Sequence, residues 1–345
     1  MPFAPHFTIT TSIASAIAMI ERARGFLEAV RLSDEWIAKM QQRAFVLEAH
    51  HTTHIEGTHL SLDQSEKLLA GESVTGVDAE DVKELLNYKK AFDFVADYVS
   101  SKGPITEGLI REIHKRLVEG VRGNSALPGQ YRTVQNFVAN SQTKEIIYTP
   151  PPPFEVHPLM ADLVAWIQNE KAISPVLVAG IAQFQLVHIH PFIDGNGRTA
   201  RLLSTLCLYQ TGYDFKKLFT ISEYYDRNRH DYYHAIQSVR NNHMDMTIWL
   251  EYFLQALANQ LHELQLKGAH VMHVEGVVER YKLSDRQKNI VESMLANGER
   301  LNIQQVEGIC PGVNRRTLQR DLADLIQKGL IIQEGVKKAA RYRLA

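Results

Sequence analysis

Cysteine is scarce in this chain, since its 345 residues include only Cys207 and Cys310. Two cysteines in separate regions argue against a disulfide framework and fit a reducing compartment. An excess of charge is missing as well, because the formal net charge is −1. The molecule as a whole therefore has no general electrostatic preference for nucleic acid or for a membrane surface.

Long apolar runs are also absent. Polar residues interrupt every apolar stretch well before the roughly 18 residues that a membrane-spanning helix needs. The first residues lack the basic start and apolar run of a signal peptide. These absences predict a cytoplasmic protein that does not associate with a membrane.

Helical periodicity dominates what is present. Apolar residues recur at spacings of three and four over residues 12–30, and helix-start signals follow at Ser33-Asp34, at Ser61 and at Asp78. The chain is longer than a single hydrophobic core usually allows, so two or three domains are expected. The predicted fold class is mainly α.

Residues 129–153 depart from this pattern. Apolar and aromatic residues from Tyr131 to Val138 and from Ile146 to Tyr148 flank a polar stretch at 140–144, which is typical of a β-hairpin. Four consecutive prolines, 150–153, then prevent both a ladder and a helix interior. We therefore expect a β-hairpin here, inserted between predicted helices.

The strongest signal is the string HPFIDGNGRTAR, from His190 to Arg201. An apolar helix is predicted to end at His190, and the glycines of residues 195–197 permit a tight turn that points several N–H groups at one place. A new helix is predicted to begin at Arg198. Its free N–H groups and positive dipole end would make an anion site.

The charged side chains of this string suit phosphate chemistry. Arg198 and Arg201 are three residues apart, so both can face the anion site, and a planar guanidinium can bind two phosphate oxygens. Asp194 offers the hard oxygen ligand that Mg²⁺ accepts. His190 can accept a hydroxyl proton near neutral pH. The string thus combines a phosphate cradle, a metal anchor and a base.

The same string resembles the signature of the Fic family, HPFx[D/E]GNGRxxR, at every defined position. The resemblance implies a bundle of α-helices with one β-hairpin, called the flap, on which a target protein docks. It also implies transfer of AMP from ATP to a Ser, Thr or Tyr hydroxyl of that target. Relatives often form homodimers.

By this resemblance each residue of the string has a role. His190 is the general base, and Asp194 holds Mg²⁺. The remaining residues bind the nucleotide: Gly195, Asn196 and Gly197 as the anion hole, and Arg198 and Arg201 at the phosphates. Two aromatic residues downstream, Tyr232 and Tyr233, lie where relatives place the adenine pocket, and aromatic faces suit a purine.

A second string, TTHIEG from Thr52 to Gly57, resembles the inhibitory motif [S/T]xxxE[G/N] of the family. Thr52 and Glu56 are four apart, so they share one helix face, and Gly57 can end that helix. The resemblance implies that Glu56 pairs with Arg201 and inhibits productive ATP binding.

The last 63 residues, 283–345, change character. Three short helices and a closing strand pair around Gly335 predict a winged helix. This segment has 11 Lys plus Arg against 7 Asp plus Glu, a net charge of +4. Lys337, Lys338 and Arg341 lie on the predicted wing, so DNA is a candidate partner, and docking of a protein is the alternative.

The predicted organisation is an N-terminal helical region with the inhibitory helix at 1–100, a Fic catalytic core at 101–266 and the winged helix at 283–345. Three other functions stay open. They are transfer of phosphate or phosphocholine on the same scaffold, a DNA-binding regulator that uses the Fic region as a nucleotide sensor, and a metal hydrolase built on the histidines of residues 50–54.

Overall fold

The structure is a computed structural model, and it describes residues 2–30, 32–139, 143–297, 300–335 and 340–345. The described residues are mainly helical, as predicted. The α-helices are α1 (Thr11–Ala29), α2 (Asp34–Ile55), α3 (Leu62–Leu69), α4 (Ala79–Ser101), α5 (Glu107–Val118), α6 (Val156–Asn169), α7 (Pro175–Ile189), α8 (Asn196–Gln210), α9 (Ser222–Arg227), α10 (Arg229–Asn241), α11 (Thr247–Tyr281), α12 (Asp285–Asn297), α13 (Ile303–Ile309) and α14 (Arg315–Gln327). The strands are β1 (Val138–Ala139), β2 (Ile146–Tyr148), β3 (Leu301–Asn302), β4 (Ile331–Glu334) and β5 (Arg341–Leu344).

The chain separates into two compact units. The first comprises Met1–Ala29 and Asp34–His262, and the second comprises Val30–Ser33 and Glu263–Ala345. The predicted N-terminal region and catalytic core fall in the first unit except for residues 30–33 and 263–266, and α4 spans the predicted boundary between them.

Local sequence signals explain where several helices begin. Ser61 is the N-cap of α3 and forms a capping box with Gln64, so two of the N–H groups that a helix start leaves unpaired gain partners. Asp78 caps α4 by accepting from the Glu80 N–H. These two helix starts confirm the predictions made from the same residues.

The centre of the first unit is formed by α7 and α8, which pack against each other. Both helices are buried over almost their whole length, including the polar side chains at the start of α8. Gly180 in α7 lets α11 approach closely, since a Cβ there would lie 2.9 Å from the Phe253 ring. Trp249 of α11 donates its indole N–H to the Gly180 carbonyl at 2.8 Å. The connection between α7 and α8 is therefore flanked by two closely packed, buried helices.

The predicted hairpin is present but shorter than expected. Its strands β1 and β2 pair antiparallel over two and three residues with a bulge, while Tyr131 and Val134 precede the first strand. Part of its predicted polar loop, residues 140–142, lies outside the described residues. The buried Arg132 binds both ends of the hairpin, through the carbonyls of Val134 and Pro151. It also binds the His190 carbonyl, so this segment packs on the end of α7 and does not continue the strand.

The second unit has its own hydrophobic core, formed by α12, α13 and α14 with a three-stranded antiparallel sheet of order β3-β5-β4. The sequence predicts two of these strands. The third, β3, was not predicted, because two residues in the segment before α13 carry too little pattern to indicate a strand. The predicted wing residues Lys337 and Lys338 lie outside the described residues.

Two boundaries also differ from prediction. The end predicted for the catalytic core, residue 266, lies inside α11, which continues to Tyr281. The helix expected from Arg198 begins at Asn196, because Gly195 supplies the left-handed turn that starts it. In the described part of the chain, no helix combines the length and the apolarity needed to cross a bilayer.

Candidate active site

The site is built at the turn between α7 and α8. His190 ends α7 in the left-handed conformation, with φ at 52°, and its N–H still donates to the Leu186 carbonyl at 2.9 Å. Pro191 follows at once, and its ring and missing N–H prevent the helix from continuing. The turn therefore comes from the sequence itself, while burial of both flanking helices fixes its position.

The His190 imidazole is oriented for proton acceptance. Its Nδ1 lies 3.2 Å from the Val187 carbonyl oxygen, so this nitrogen must carry the hydrogen and Nε2 keeps the lone pair. Burial lowers the pKa of His190 to about 4, so the ring is neutral at physiological pH. A neutral imidazole with a free Nε2 is the form that a general base requires.

Arg132, which was not predicted as a site residue, holds the turn from the flap side. Its side chain is 2% exposed, and it donates to the carbonyl of His190 at 2.8 Å and to that of Pro151 at 2.5 Å. Its backbone N–H donates to the Pro191 carbonyl at 2.9 Å. One guanidinium thus joins the base of the hairpin to the residue carrying the imidazole. A lone arginine in a hairpin gives no sequence signal for such a role.

Asn196 is placed differently from the expected anion hole. Its side chain accepts from the Phe192 N–H and donates to the Phe192 carbonyl, both at 2.9 Å. The amide therefore braces the turn internally and is not directed at an anion. The backbone N–H of Asn196 remains available for anion binding. It lies in the first turn of α8, where backbone N–H groups have no carbonyl acceptor within the helix.

His114 of α5 is a second supporting residue that the sequence did not reveal. It is fully buried and stacks on Phe192 with ring centroids 3.7 Å apart. Its Nε2 donates to the Asp194 carbonyl at 3.0 Å, while its Nδ1 accepts from the Gly129 N–H at 3.0 Å. Burial lowers the pKa of His114 to about 4, so it remains neutral and supports the loop without adding charge.

The Asp194 side chain is 43% exposed, so its carboxylate is accessible to a cation. One oxygen accepts from the Gly195 N–H at 2.6 Å and lies 3.9 Å from Arg198. Within the described residues, no three His, Cys, Asp or Glu side chains gather with the geometry of a metal site. A single carboxylate fits Mg²⁺ only where substrate phosphates and water complete the coordination.

Arg198 and Arg201 do not form the pair of open phosphate ligands that the spacing predicts. Arg198 is 2% exposed and donates to Glu84 of α4 at 2.7 Å. Glu84 was not predicted, because nothing in its local sequence distinguishes it from other helix-surface glutamates. The spacing correctly places both arginines toward the site, but each meets a glutamate from another helix.

Arg201 is 1% exposed and is bound on two sides by the end of α2. Its Nε donates to the Thr52 hydroxyl at 2.7 Å, and its Nη2 donates to the Thr52 carbonyl at 3.0 Å and to Glu56 Oε1 at 2.6 Å. Burial lowers the pKa of Arg201, but the charges and hydrogen bonds of Glu56 and Tyr232 together outweigh burial and raise that pKa above its ordinary value. The structure therefore brings together the two residues predicted to interact.

The way α2 ends determines where Glu56 points. The Thr58 N–H donates to the Thr53 carbonyl and the Gly57 N–H to the His54 carbonyl, which is a Schellman motif. Gly57 has φ at +109°, a conformation that L side chains rarely adopt. The Glu56 carboxylate then lies over Gly197, where a Cβ would come within 2.3 Å of its oxygen. It thus covers the first turn of α8.

The prediction for the two tyrosines needs correction. Tyr232 is 2% exposed and stacks on Tyr225 with centroids 4.4 Å apart, so its ring belongs to the core and presents no open face to a purine. Its hydroxyl lies next to the Arg201 guanidinium. Tyr233 is 49% exposed. Burial and the nearby charge of Glu56 raise the pKa of its hydroxyl, so Tyr233 lies near Glu56 at the mouth of the site. Adjacent residues of a helix point in different directions, which is why the two differ.

The flap is attached to the same helices. Tyr148 of β2 donates to the His188 carbonyl at 2.8 Å, and Gln237 of α10 donates to the Ile147 carbonyl at 3.0 Å. Several apolar side chains on and beside the flap are more than 45% exposed: Val134, Phe137, Ile146, Ile147 and Phe154. The site therefore lies beside an exposed apolar surface.

The histidines of α2 do not support a metal hydrolase. His50 Nδ1 lies 3.0 Å from the Ser65 hydroxyl. His51 and His54 both direct Nδ1 at one oxygen of Asp226, at 2.8 and 2.7 Å. These are direct hydrogen-bond distances, which leave no space for an ion between the groups.

Comparison with known proteins agrees with this geometry. The model of the Fic/DOC family matches residues 104–208. Two curated relatives are both called "Protein adenylyltransferase Fic": one from Culex quinquefasciatus is 30% identical over 63% of this chain and 41% of its own length, and one from Drosophila ananassae is 32% identical over 56% of this chain and 38% of its own. The chain thus spans about 40% of the length of the curated relatives it matches.

Solved structures show the same fold. A Fic family protein from Desulfovibrio desulfuricans G20 superposes with a TM-score of 0.66 at 22% identity, covering 99% of this chain and 98% of that one. Fic-1 from C. elegans superposes with a TM-score of 0.61 at 24% identity, covering 76% of this chain and 74% of that one. The segment that matches the Fic/DOC family model, residues 104–208, includes the turn that carries His190 and Arg201, and the solved structures show that the fold is shared.

Proposed function

We propose that this chain transfers AMP from ATP to a hydroxyl of a target protein. The observation that carries the proposal is the position of His190, which ends α7 with its Nδ1 at the Val187 carbonyl, directly before a loop and helix start that can bind an anion. The names of the curated relatives, which describe protein adenylyltransferases, support it.

Each residue of the turn has a task in this reaction. His190 Nε2 accepts the proton of the target hydroxyl as the hydroxyl oxygen bonds to the α-phosphorus of ATP. The bond from that phosphorus to its bridging oxygen breaks, and pyrophosphate leaves. The N–H groups of the first turn of α8 and the Arg201 guanidinium stabilise the phosphate charge. Asp194 would hold Mg²⁺, which neutralises charge on the phosphates when bound.

Glu56 acts as an inhibitor in this proposal. Its carboxylate occupies a donor of Arg201 and lies over Gly197, where an anion would otherwise approach the first turn of α8. A negative charge at this position also repels a triphosphate. Removing the carboxylate would free the Arg201 fork for phosphate.

The test is transfer from ATP labelled on the α-phosphate, with the chain itself as acceptor. Glu56→Gly is expected to label at least about ten-fold more than the wild type, since a charged hydrogen bond to Arg201 is removed. His190→Ala in the Glu56→Gly background is expected to abolish labelling. Mass spectrometry should find an added AMP. An added phosphate, or equal labelling by all three proteins, would contradict the proposal.

We propose further that the target protein docks on the flap and that the chain acts as a cytoplasmic homodimer. The exposed apolar side chains of the flap support docking, because clusters of this kind are typical of binding surfaces. Cys207 and Cys310 are free and buried, which fits a reducing compartment. Crosslinking of the flap in a lysate and sedimentation of the full chain test the two parts.

A second function, DNA binding by the 283–345 segment, is favoured by one face of α14. Arg316, Gln319 and Arg320 are exposed at the spacing of one helix face. Other arginines of the unit pair with carboxylates, as Arg286 does with Asp321, but within the described residues neither Arg316 nor Arg320 has such a partner. Unpaired arginines on a helix with an apolar inner face suit phosphate and base contacts.

The full chain should therefore retard duplex DNA in a gel shift at low salt, and retardation should decrease steeply as salt rises. Arg316→Ala with Arg320→Ala should weaken retardation more than Arg286→Ala, which removes an arginine already paired with a carboxylate. No retardation of DNA at low salt would end this proposal and leave protein docking as the role of this unit.

A further inference from the structure

The last turn of α2 is joined to the α9–α10 junction by a cluster that the proposed reaction does not use. Asp226 accepts from His51 and His54 through one oxygen, at 2.8 and 2.7 Å, and pairs with Arg229 through the other. Arg229 in turn donates to the His54 carbonyl at 3.0 Å. We call Asp226 and Arg229, with these contacts, the latch.

The latch is built around a buried charge. The Asp226 side chain is 7% exposed. Burial alone raises the pKa of Asp226, but hydrogen bonds from Arg229, His51 and His54 outweigh burial and lower it to about 2. The carboxylate is therefore ionised, and it can remain so in this position only while its donors stay in place. Two of these donors belong to α2.

The latch contacts the backbone that forms the C-terminal end of α2. The His54 carbonyl that accepts from Arg229 also accepts from the Gly57 N–H, one of the two bonds of the Schellman motif. Glu56 lies between these residues. Arg229 therefore holds the part of the backbone that directs the Glu56 side chain toward Arg201.

The body of α2 is held by a separate cluster. Glu48 is 6% exposed and accepts from the Thr220 hydroxyl at 2.8 Å, from the Ser222 N–H at 3.1 Å and from the Tyr88 hydroxyl at 3.1 Å. This cluster lies two turns before Glu56. Loss of the latch would therefore loosen the last turn of α2 while the rest of the helix remains docked.

We propose that Asp226 and Arg229 are positioning residues for inhibition, which hold the last turn of α2 so that Glu56 reaches Arg201. Opening the latch increases the fraction of molecules in which Arg201 is free. The inference rests on the proposed inhibitory role of Glu56. The Arg229 and His54 side chains are 37% and 43% exposed, so the latch is accessible from solvent, whereas the Arg201 side chain is 1% exposed.

Two measurements on the full chain test this inference. Hydrogen exchange of the amides of residues 52–57 reports on the helix end, and labelling from α-labelled ATP reports on inhibition. In Asp226→Asn, both hydrogen exchange and labelling should rise, labelling on the order of ten-fold. The reason is that the charged carboxylate that accepts from His51, His54 and Arg229 is lost. In the Glu56→Gly background, Asp226→Asn should change labelling less than about two-fold. Both substitutions release Arg201 from Glu56, so the second one has no further effect once Glu56 is absent.

Two further variants separate positioning from general damage. Arg229→Ala should raise exchange and labelling, and Arg229→Lys should restore part of the wild-type behaviour, because an ammonium group can still donate to the His54 carbonyl. Glu28→Gln is the matched control. It removes an exposed pair with Arg24 on α1 and should alter neither reading.

The outcomes separate the latch from the proposed inhibition by Glu56, which we call the brake. If Glu56→Gly raises labelling and Asp226→Asn does not, the latch is overturned and the brake stands. If Asp226→Asn raises labelling equally in the Glu56→Gly background, it acts by another route and the latch is overturned. If Glu56→Gly fails to raise labelling, the brake itself is wrong, and a rise in exchange alone then shows a contact without an inhibitory role.

Discussion

Two buried ion pairs on the same helix differ in what surrounds them. Arg198 pairs with Glu84 at 2.7 Å, and the two side chains are 2% and 5% exposed. Arg201 pairs with Glu56 at 2.6 Å, but the Glu56 side chain is 25% exposed. Glu84 lies within α4, whereas Glu56 follows the last residue of α2. One glutamate is thus fixed inside a helix and the other sits on a helix end.

This difference indicates separate roles for residues that look equivalent in sequence. Because Glu84 is 5% exposed, moving its carboxylate away from Arg198 would leave two buried charges unpaired, so we expect the Arg198 pair to be structural. A carboxylate on a helix end can move when one turn loosens, at a cost well below global unfolding. Of the two pairs, the Arg201 pair is therefore the one that suits the proposed reversible inhibition.

The largest expected effect comes from breaking the enclosed pair. Glu84→Ala should destabilise the first unit by about 3–5 kcal/mol, because it leaves the Arg198 charge buried without its partner. Thermal unfolding followed by circular dichroism measures this. Asp93→Ala, which removes an exposed pair with Lys89 on the same helix, should cost less than about 1 kcal/mol. Equal losses in both variants would remove the distinction.

Glu56→Gln should separate the two pairs in activity. The amide keeps the shape of the side chain but loses the charge, so we expect labelling from ATP to rise about five-fold to ten-fold. The melting temperature should change less than in Glu84→Ala. A Glu56→Gln protein that melts as early as Glu84→Ala would show that the Arg201 pair is structural too.

Thr52→Val tests the second contact of Arg201. The substitution keeps the volume but removes the hydroxyl that accepts from Arg201 Nε, so stability should fall by about 1–3 kcal/mol. Labelling should rise less than in Glu56→Gln, because the inhibitory carboxylate is still present. Thr53→Val is a matched control, since that hydroxyl donates only to carbonyls of its own helix. A larger rise in labelling than in Glu56→Gln would reassign the inhibition to Thr52.

The smallest expected effect is that of pH on His190, measured in the Glu56→Gly background so that inhibition does not interfere. Because burial lowers the pKa of His190 to about 4, the base stays neutral until the pH falls toward that value. Labelling should therefore change less than about two-fold between pH 7 and pH 5.5. Over the same range, a base with the ordinary pKa of histidine would lose about ten-fold of its neutral form and hence of its activity. A ten-fold loss would show that His190 is not shielded from water.

The local parts of the site could be predicted from the sequence. Pro191, Gly195 and Gly57 set backbone conformations by themselves, so the end of α7, the start of α8 and the end of α2 follow from residue type. The four-residue spacing from Thr52 to Glu56 likewise places both on one helix face. The roles of His190 and Asp194 in catalysis stay predictions.

Supporting contacts between distant segments could not be predicted in this way. Arg132, His114 and Glu84 lie 58, 80 and 114 residues from the groups they bind. None has a neighbour in sequence that marks it. The error at Tyr232 has the same origin, because whether an aromatic face is open or covered depends on which helix packs over it.

The sequence by itself determined the helical character of the chain, the turn that joins α7 to α8, and the chemistry available there, since all of these depend on residue type and on spacing within a few positions. Only the tertiary structure decided that Glu84 meets Arg198, which of the two tyrosines faces solvent, and that Asp226 contacts the end of α2. Those outcomes depend on how separate helices pack, and burial then makes each such pairing energetically decisive.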